Sequence, residues 1–481
     1  MLLNTYHQAM QKYADFKRFN ERWVSDPNFR KALAADKVGT LTKYNIHCHP
    51  DDVHSLQDIQ PNQPGPPSAA MKAIWEVVLA KSTFVGEFYK KEGQPKDPRF
   101  KAWRERQIAR QWLEIGPFPT KSNIHASLSI ELTKGCSVGC WFCALSPEQL
   151  SGVFSYTDTN RVLWRDVLNV LNDHLGPAAK TGFLYWATDP LDNPDYERWC
   201  LDYHEIVGIF PPTTTAKAGE DPERTRALLE LSQSRDCWLN RFSIISLKML
   251  DHVHAEFSAQ ELAQVECLPL NREGAFVYGN AGRFRERAQK DPKLMEQQRK
   301  SLLWAPWFTA DPSYADCDDY PMSSIGCVTG FLINMVDRSV QLIAPCASSD
   351  RWPLGYFIFD RGHFADGNEL AQWIDRTMDE RMWPILRGGD RLRFHHWLEL
   401  EPLEDGFQLN GRFKQRLAFR GPERSNQWKA IGDLVAQGDR TTEDIVETVS
   451  VQQNINREVV YSMLNSLFCT GVIDELDLPS C

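Results

Sequence analysis

Three cysteines, Cys136, Cys140 and Cys143, fall in the stretch Cys-Ser-Val-Gly-Cys-Trp-Phe-Cys. Cysteine thiolates hold iron–sulfur clusters, and a cubic cluster has four irons. Three ligands on one short loop leave the fourth iron open to another molecule. The loop follows an alternating run, His125-Ala-Ser-Leu-Ser-Ile-Glu-Leu-Thr133, which reads as a β-strand ending in a Lys134-Gly135 turn. Loops at the C-terminal ends of strands are where α/β barrels place their chemistry. A second cysteine setting lies at Cys346, which closes the run Val340-Gln-Leu-Ile-Ala-Pro-Cys. Cys317, Cys327 and Cys346 are too few and too widely spaced for a second four-cysteine site. A lone thiol in an apolar setting keeps its proton and has a hydrogen atom to give to a carbon radical; the plain alternative is a small buried apolar residue. His47-Cys48-His49, followed by Asp51 and Asp52, has ligand-type side chains. Adjacent residues point different ways, however, so a surface loop is expected there.

Cys-x-x-x-Cys-aromatic-x-Cys is the signature of the radical SAM enzymes, and the chain resembles them. The resemblance implies a [4Fe-4S] cluster on Cys136, Cys140 and Cys143. Its open iron would chelate S-adenosyl-L-methionine, whose reductive cleavage gives a 5′-deoxyadenosyl radical. Ala187-Thr188-Asp189-Pro190-Leu191 stands where family members often have Gly-Gly-Glu-Pro. Asp189, with Thr188 beside it, would then meet the methionine ammonium, although the acceptor is shorter and both glycines are missing. By the same resemblance Trp141 would lie beside the adenine and Ser243 would contact the ribose. Lys217 would reach the carboxylate, unless it is a solvated loop lysine. The cysteine motif, the Thr-Asp-Pro-Leu turn and the run Ala-Pro-Cys346-Ala-Ser-Ser-Asp-Arg-Trp-Pro-Leu-Gly-Tyr356 together resemble the radical SAM peptide epimerases, the PoyD-type maturases of proteusin-like ribosomal peptides. That family converts L- to D-residues in a precursor's core region. The resemblance implies Cys346 as the hydrogen donor, with Cys327 in reserve. The partners implied are a precursor peptide bound through its leader and an electron donor such as flavodoxin or ferredoxin. The competing expectation is a radical SAM maturase that forms thioether or carbon–carbon crosslinks.

Helical and strand-like segments alternate from residue 121 to 310, as in βα units around a parallel sheet. Buried strands are expected at 182–188, 209–215, 240–246 and 265–270. With the resemblance, the fold expected is α/β, a partial (β/α)6 TIM-type radical SAM barrel. Residues 1–60 form a helical N-terminal region, broken at Asp26-Pro27, and Phe19–Leu33 resembles the leader segment of nitrogen-fixation-type precursors. Residues 61–120 hold the end of a proline-rich linker (59–68) and helices that pack on the barrel. Residues 311–424 carry a post-barrel β-hairpin centred on Asp337-Arg-Ser339. Residues 425–481 make a small winged-helix-like module that weakly resembles precursor-recognition units, which add a peptide as a strand.

The formal charge of −10 over 481 residues argues against a general grip on nucleic acid or an anionic membrane. The excess of acidic over basic residues in 425–481 disfavours phosphate contact by the module. No apolar run approaches the roughly 20 residues of a membrane span, and the polar N-terminus lacks a signal-peptide core. Twelve cysteines, three of them clustered, fit a reducing cytoplasm better than a disulfide framework.

Overall fold

A computed structural model of the chain describes residues 2–53, 69–116, 120, 123–274, 276–304 and 326–476. The linker expected at 59–68 and Cys317 lie outside the described residues.

The chain starts with α1 (Leu2–Lys12), α2 (Ala14–Ser25), α3 (Pro27–Ala35) and α4 (Lys37–Lys43). Asp26 separates α2 from α3. Its carboxylate accepts the Asn28 N–H at 2.8 Å, and Pro27 fills a first-turn position whose N–H has no helical partner. Phe19, Trp23, Phe29 and Leu33 close a small core of their own. This unit is tied down elsewhere: Arg22 pairs with Asp251 at 2.5 Å, and Asn271 donates to the Ser25 carbonyl at 2.9 Å. Two longer helices follow, α5 (Ala69–Glu87) and α6 (Pro98–Glu114).

Strands and helices then alternate: β1 (Ala126–Glu131), the short pair β2 (Thr133–Lys134) and β3 (Gly152–Val153), α7 (Asp158–Leu175), α8 (Tyr196–Val207), β4 (Thr214–Thr215), α9 (Pro222–Gln233), β5 (Asn240–Ile244), α10 (Leu247–Glu256) and β6 (Val265–Pro269). After them come α11 (Gly282–Ala288), α12 (Pro292–Trp304), β7 (Val328–Asn334), β8 (Ser339–Pro345), β9 (Tyr356–His363) and α13 (Gly367–Arg381). β4, β5 and β6 form one parallel sheet. β1 pairs in parallel with β7, and β7, β8 and β9 continue antiparallel in the order β1-β7-β8-β9. Gly330 permits the β1–β7 approach, because a Cβ there would sit 2.2 Å from the Ser127 carbonyl oxygen.

The fold is mixed α/β with several small sheets, and no closed barrel forms among the described residues. Two expected strands are shorter than their sequence pattern. Over 182–188 the ladder is a single bridge, Phe183 to Ser129, because the Ser129 hydroxyl takes the Tyr185 carbonyl at 2.6 Å. Over 209–215 only Thr214–Thr215 pair, since Pro211 and Pro212 have no N–H to offer a ladder.

One face of the four-stranded sheet packs Phe331, Ile333, Val340 and Leu342 on α6, α7, α8 and α13. The other face turns inward, with Leu332 and Ile343 against Phe183 and Trp186. A separate core carries the C-terminal strands β10 (Glu399–Leu403), β11 (Gly406–Asn410) and β12 (Arg416–Arg420) with α14 (Ser425–Gln437), α15 (Thr442–Gln453) and α16 (Arg457–Cys469). Trp383, Leu392 and Leu113 of α6 belong to that core, so the last three helices share it with residues well before 425.

Candidate functional site

The cysteine loop is a pinned excursion. β2 and β3 zip its neck, and the Cys136 N–H donates to the Glu148 carbonyl at 3.0 Å. Within it the Cys143 N–H reaches the Cys140 carbonyl at 3.3 Å, which holds the chain in a turn. Arg283 clamps the loop from outside. Its N–H donates to the Cys143 carbonyl at 3.0 Å, and its guanidinium donates to the carbonyls of Cys140 at 3.3 Å and of Pro147. Gly282 allows that approach: it sits at φ +52°, and a Cβ would fall 2.3 Å from the Ala144 carbonyl oxygen.

All three cysteines are half-buried and free of disulfides. Burial raises the Cys136 thiol above its ordinary value, and the carboxylates of Asp189 and Asp192 add to the rise. Cys140 is pushed up to about 12 by burial first, then by Cys143 and Cys136. The sulfur atoms therefore lie close enough to repel one another as thiolates, and positive metal charge among them would relieve that repulsion. An iron–sulfur cluster bonds each thiolate to a different iron, and three cysteine sulfurs on one loop are the donor type it takes.

Two carboxylates stand next to the loop. Asp192 accepts from the Ser137 N–H at 2.9 Å and the Ser137 hydroxyl at 2.5 Å, and Lys217 donates to it at 2.9 Å. Lys217 also pairs with Glu220 at 3.2 Å, so its ammonium ties the β4 end to the cysteine loop. Asp189 is buried and accepts from the Ala216 N–H at 2.7 Å, the Thr215 hydroxyl at 2.7 Å and the Leu191 N–H at 3.0 Å. Burial raises its pKa to about 6 against those three bonds. One lone-pair direction remains for a further donor. Thr188 and Ser243 are half-buried. The Trp141 ring carries the guanidinium groups of Arg272 and Arg287, 5.2 and 5.6 Å from its centre, and packs edge-on to Tyr278 at 5.3 Å.

Glu131, at the C-terminal end of β1, was no sequence candidate. It is buried, accepts from the Ala187 N–H at 2.7 Å and the Asn334 amide at 3.0 Å, and burial lifts it to about 7. The signal lay in the alternation Ser127, Ser129, Glu131, a polar face that reads as solvent-facing yet is buried on every residue. Asp192, Arg283 and Gly282 carried no local signal, since their partners lie across the fold.

Cys346 follows β8 and is completely buried. The register Gly330–Ile343 and Asn334–Ser339 sets it level with the start of β7, at the opposite edge from the one where β1 leads to the cysteine loop. Its thiol is held well above its ordinary value by burial, then by Glu114, with Arg110 and Arg412 opposing. Glu114 pairs with Arg110 and accepts the Ala347 N–H at 3.1 Å. Cys327 directly precedes β7, its carbonyl accepts the Ala126 N–H at 2.8 Å, and burial pushes its thiol up to about 12. The loop after Cys346 and the cysteine loop meet through residues 280–283. The Ser348 hydroxyl donates to the Asn280 carbonyl, the Gly282 N–H to the Pro353 carbonyl at 2.8 Å, and the Arg283 N–H to Cys143.

A different trio, Glu21, His254 and Cys267, brings three possible ligand atoms within 4.8 Å of one another. Cations already engage it: Lys17 reaches Glu21 at 2.6 Å and Arg22 reaches His254 at 3.4 Å. His254 falls to about 4 through burial. The trio therefore serves as a dock between α2, α10 and β6.

No protein-family model matches the chain, and no solved structure matches it. An uncharacterized protein, y4wI of Sinorhizobium fredii (strain NBRC 101917 / NGR234), is 32% identical over 469 residues, which cover 95% of this chain and 86% of that relative. The chain belongs to the same family as that protein. No helix among the described residues is long and apolar enough to cross a membrane.

Proposed function

We propose that the chain is a cytoplasmic radical SAM peptide epimerase, built on a partial (β/α)6-type barrel, that converts L- to D-residues in a ribosomally made precursor. One observation carries the reading: Cys136, Cys140 and Cys143 share one pinned loop, all three half-buried and free of disulfides. Cys136, Cys140 and Cys143 would hold a [4Fe-4S] cluster, which with S-adenosyl-L-methionine would supply a 5′-deoxyadenosyl radical as the oxidant for a substrate Cα–H.

The chain's own residues do the rest. Asp189 offers its remaining acceptor site to the methionine ammonium, and Arg283 fixes the carbonyls of the cysteine loop. Cys346 holds a hydrogen that burial keeps on sulfur. Returned to the opposite face of the Cα radical, that hydrogen inverts the centre and leaves a thiyl. An electron from a flavodoxin- or ferredoxin-type donor, with a proton, then restores the thiol. The precursor binds through its leader, at either the N-terminal helices or the C-terminal module.

Mass spectrometry of a precursor treated with the reconstituted enzyme tests this. In ordinary water the mass should not change, whereas in deuterated water each converted site should gain about one dalton from the exchanged thiol. Loss of two hydrogens per event would replace epimerisation with crosslinking. Cys346→Ala should still consume S-adenosyl-L-methionine but give no D-residues. Continued conversion in that variant would move the donor role to Cys327.

A further inference from the structure

Next to the cysteine loop lies an open cavity of about 390 Å³, lined by Trp141, Tyr278, Arg272, Arg287, Lys290 and Lys293 among others. Trp141 is the residue after Cys140, so one wall of the cavity is the cysteine loop itself. None of the four cations has a carboxylate within ion-pair distance among the described residues. Their one acidic neighbour in the lining, Asp291, accepts the Lys293 backbone N–H at 3.1 Å at the start of α12. Other cations near the site are paired, Lys217 with Asp192 and Glu220, Arg224 with Glu197, Arg285 with Asp350. Four cations without a carboxylate partner thus share one concavity on a chain of net charge −10, and together they favour an anion there.

The aromatic wall narrows the choice of ligand. Both guanidinium groups lie over the Trp141 ring, and its edge meets Phe142 and Tyr278. The indole thus acts as a rest that holds two cations apart from carboxylates of this chain, through cation–π attraction. A carboxylate finds two forked guanidinium donors ready for it here. The concavity admits side chains from an extended segment, in contrast to the flat face of a folded partner.

We propose that this cavity binds Asp or Glu side chains of the peptide substrate, in a segment flanking the residue to be modified. The proposal rests on the peptide-modifying function above and names the contact that aligns the peptide beside the cysteine loop. At about 3.3 Å per extended residue, a carboxylate held here leaves the reacting residue only a few positions away in the chain.

The test uses the full-length reconstituted protein and two labelled probes, hexaglutamate and hexaglutamine, followed by fluorescence anisotropy. Hexaglutamate should bind, with affinity that falls as salt rises, and hexaglutamine should not. Lys290→Glu with Lys293→Glu should weaken hexaglutamate at least ~10-fold, as reversal of focused charge demands. The milder pair Lys290→Gln and Lys293→Gln should give a smaller loss, with thermal melting checking that both variants fold. Equal binding by wild type and variants, or equal binding of both probes, overturns the proposal. So does a result in which the variants lose affinity for an acidic flavodoxin but keep it for hexaglutamate. Because the readout is binding, a negative result here leaves the D-residue assay standing, and a negative D-residue assay leaves this one interpretable.

Discussion

Two cysteine environments of this chain differ in what surrounds the sulfur. Cys136, Cys140 and Cys143 sit half-exposed on a loop whose backbone is fastened by Glu148, Arg283 and Asp192 while its thiols stay available. Cys346 is completely buried, close to the Arg110–Glu114 pair of α6. Burial disfavours the free thiolate of Cys136 and Cys140 in the loop and of Cys346. In the loop, neighbouring sulfurs and aspartates add to burial, and a metal can reverse that. Around Cys346 burial dominates, and the result is a persistent S–H. The two settings thus differ in solvent access: the loop thiols are half-exposed and the Cys346 thiol is buried.

The largest effect should come from the open side. Cys140→Ala leaves two thiolates on the loop, and we expect complete loss of iron after anaerobic reconstitution and of S-adenosyl-L-methionine cleavage, read by iron assay and chromatography. Full iron content in that variant would break the distinction between the settings. The sealed side should fail differently. Glu475→Ala leaves the Arg106 guanidinium buried beside Phe468 without its 2.8 Å partner, and an uncompensated buried charge costs about 3–5 kcal/mol. Denaturant unfolding measures it, and iron content should stay normal. A loss below about 1 kcal/mol, the range of exposed pairs, would show that water reaches Arg106.

How much of this was readable from sequence follows the range of each interaction. The cysteine loop was legible because its spacing is local and its chemistry depends on residue type. So was the boundary at Asp26-Pro27, where a capping carboxylate and a proline act within two residues. The inward polar face of β1 was not: Ser127, Ser129 and Glu131 alternate with Leu128 and Ile130 as a solvent-facing strand would. Only β7 and the segment at 183–187, each more than 50 residues away, bury that face. The Lys217–Asp192 contact was illegible for a related reason: the two residues stand on either side of α8 in sequence. The core of the C-terminal helices reaches back to Leu113, a packing relation with no trace in residues 425–481.

Glu131 is where the interior can be probed with least disturbance. Its pKa rises from an ordinary 4.5 to about 7 because burial penalises the charged form, while Asn334 and Ala187 favour it. The folded state therefore binds a proton that the unfolded chain releases between those two values, and folding stability falls as pH rises through that window. Above it both states are ionised and the loss is complete. The interval from 4.5 to about 7 corresponds to at most about 3 kcal/mol. Glu131→Gln cannot ionise, and its amide oxygen still accepts from Ala187 or Asn334. We expect urea unfolding to show wild type losing about 2–3 kcal/mol between pH ~5 and ~8 relative to the variant, after both are corrected for their common slope. Parallel curves would mean that water reaches the β1 face, and the polar interior beside the cysteine loop would then be as open as the loop itself.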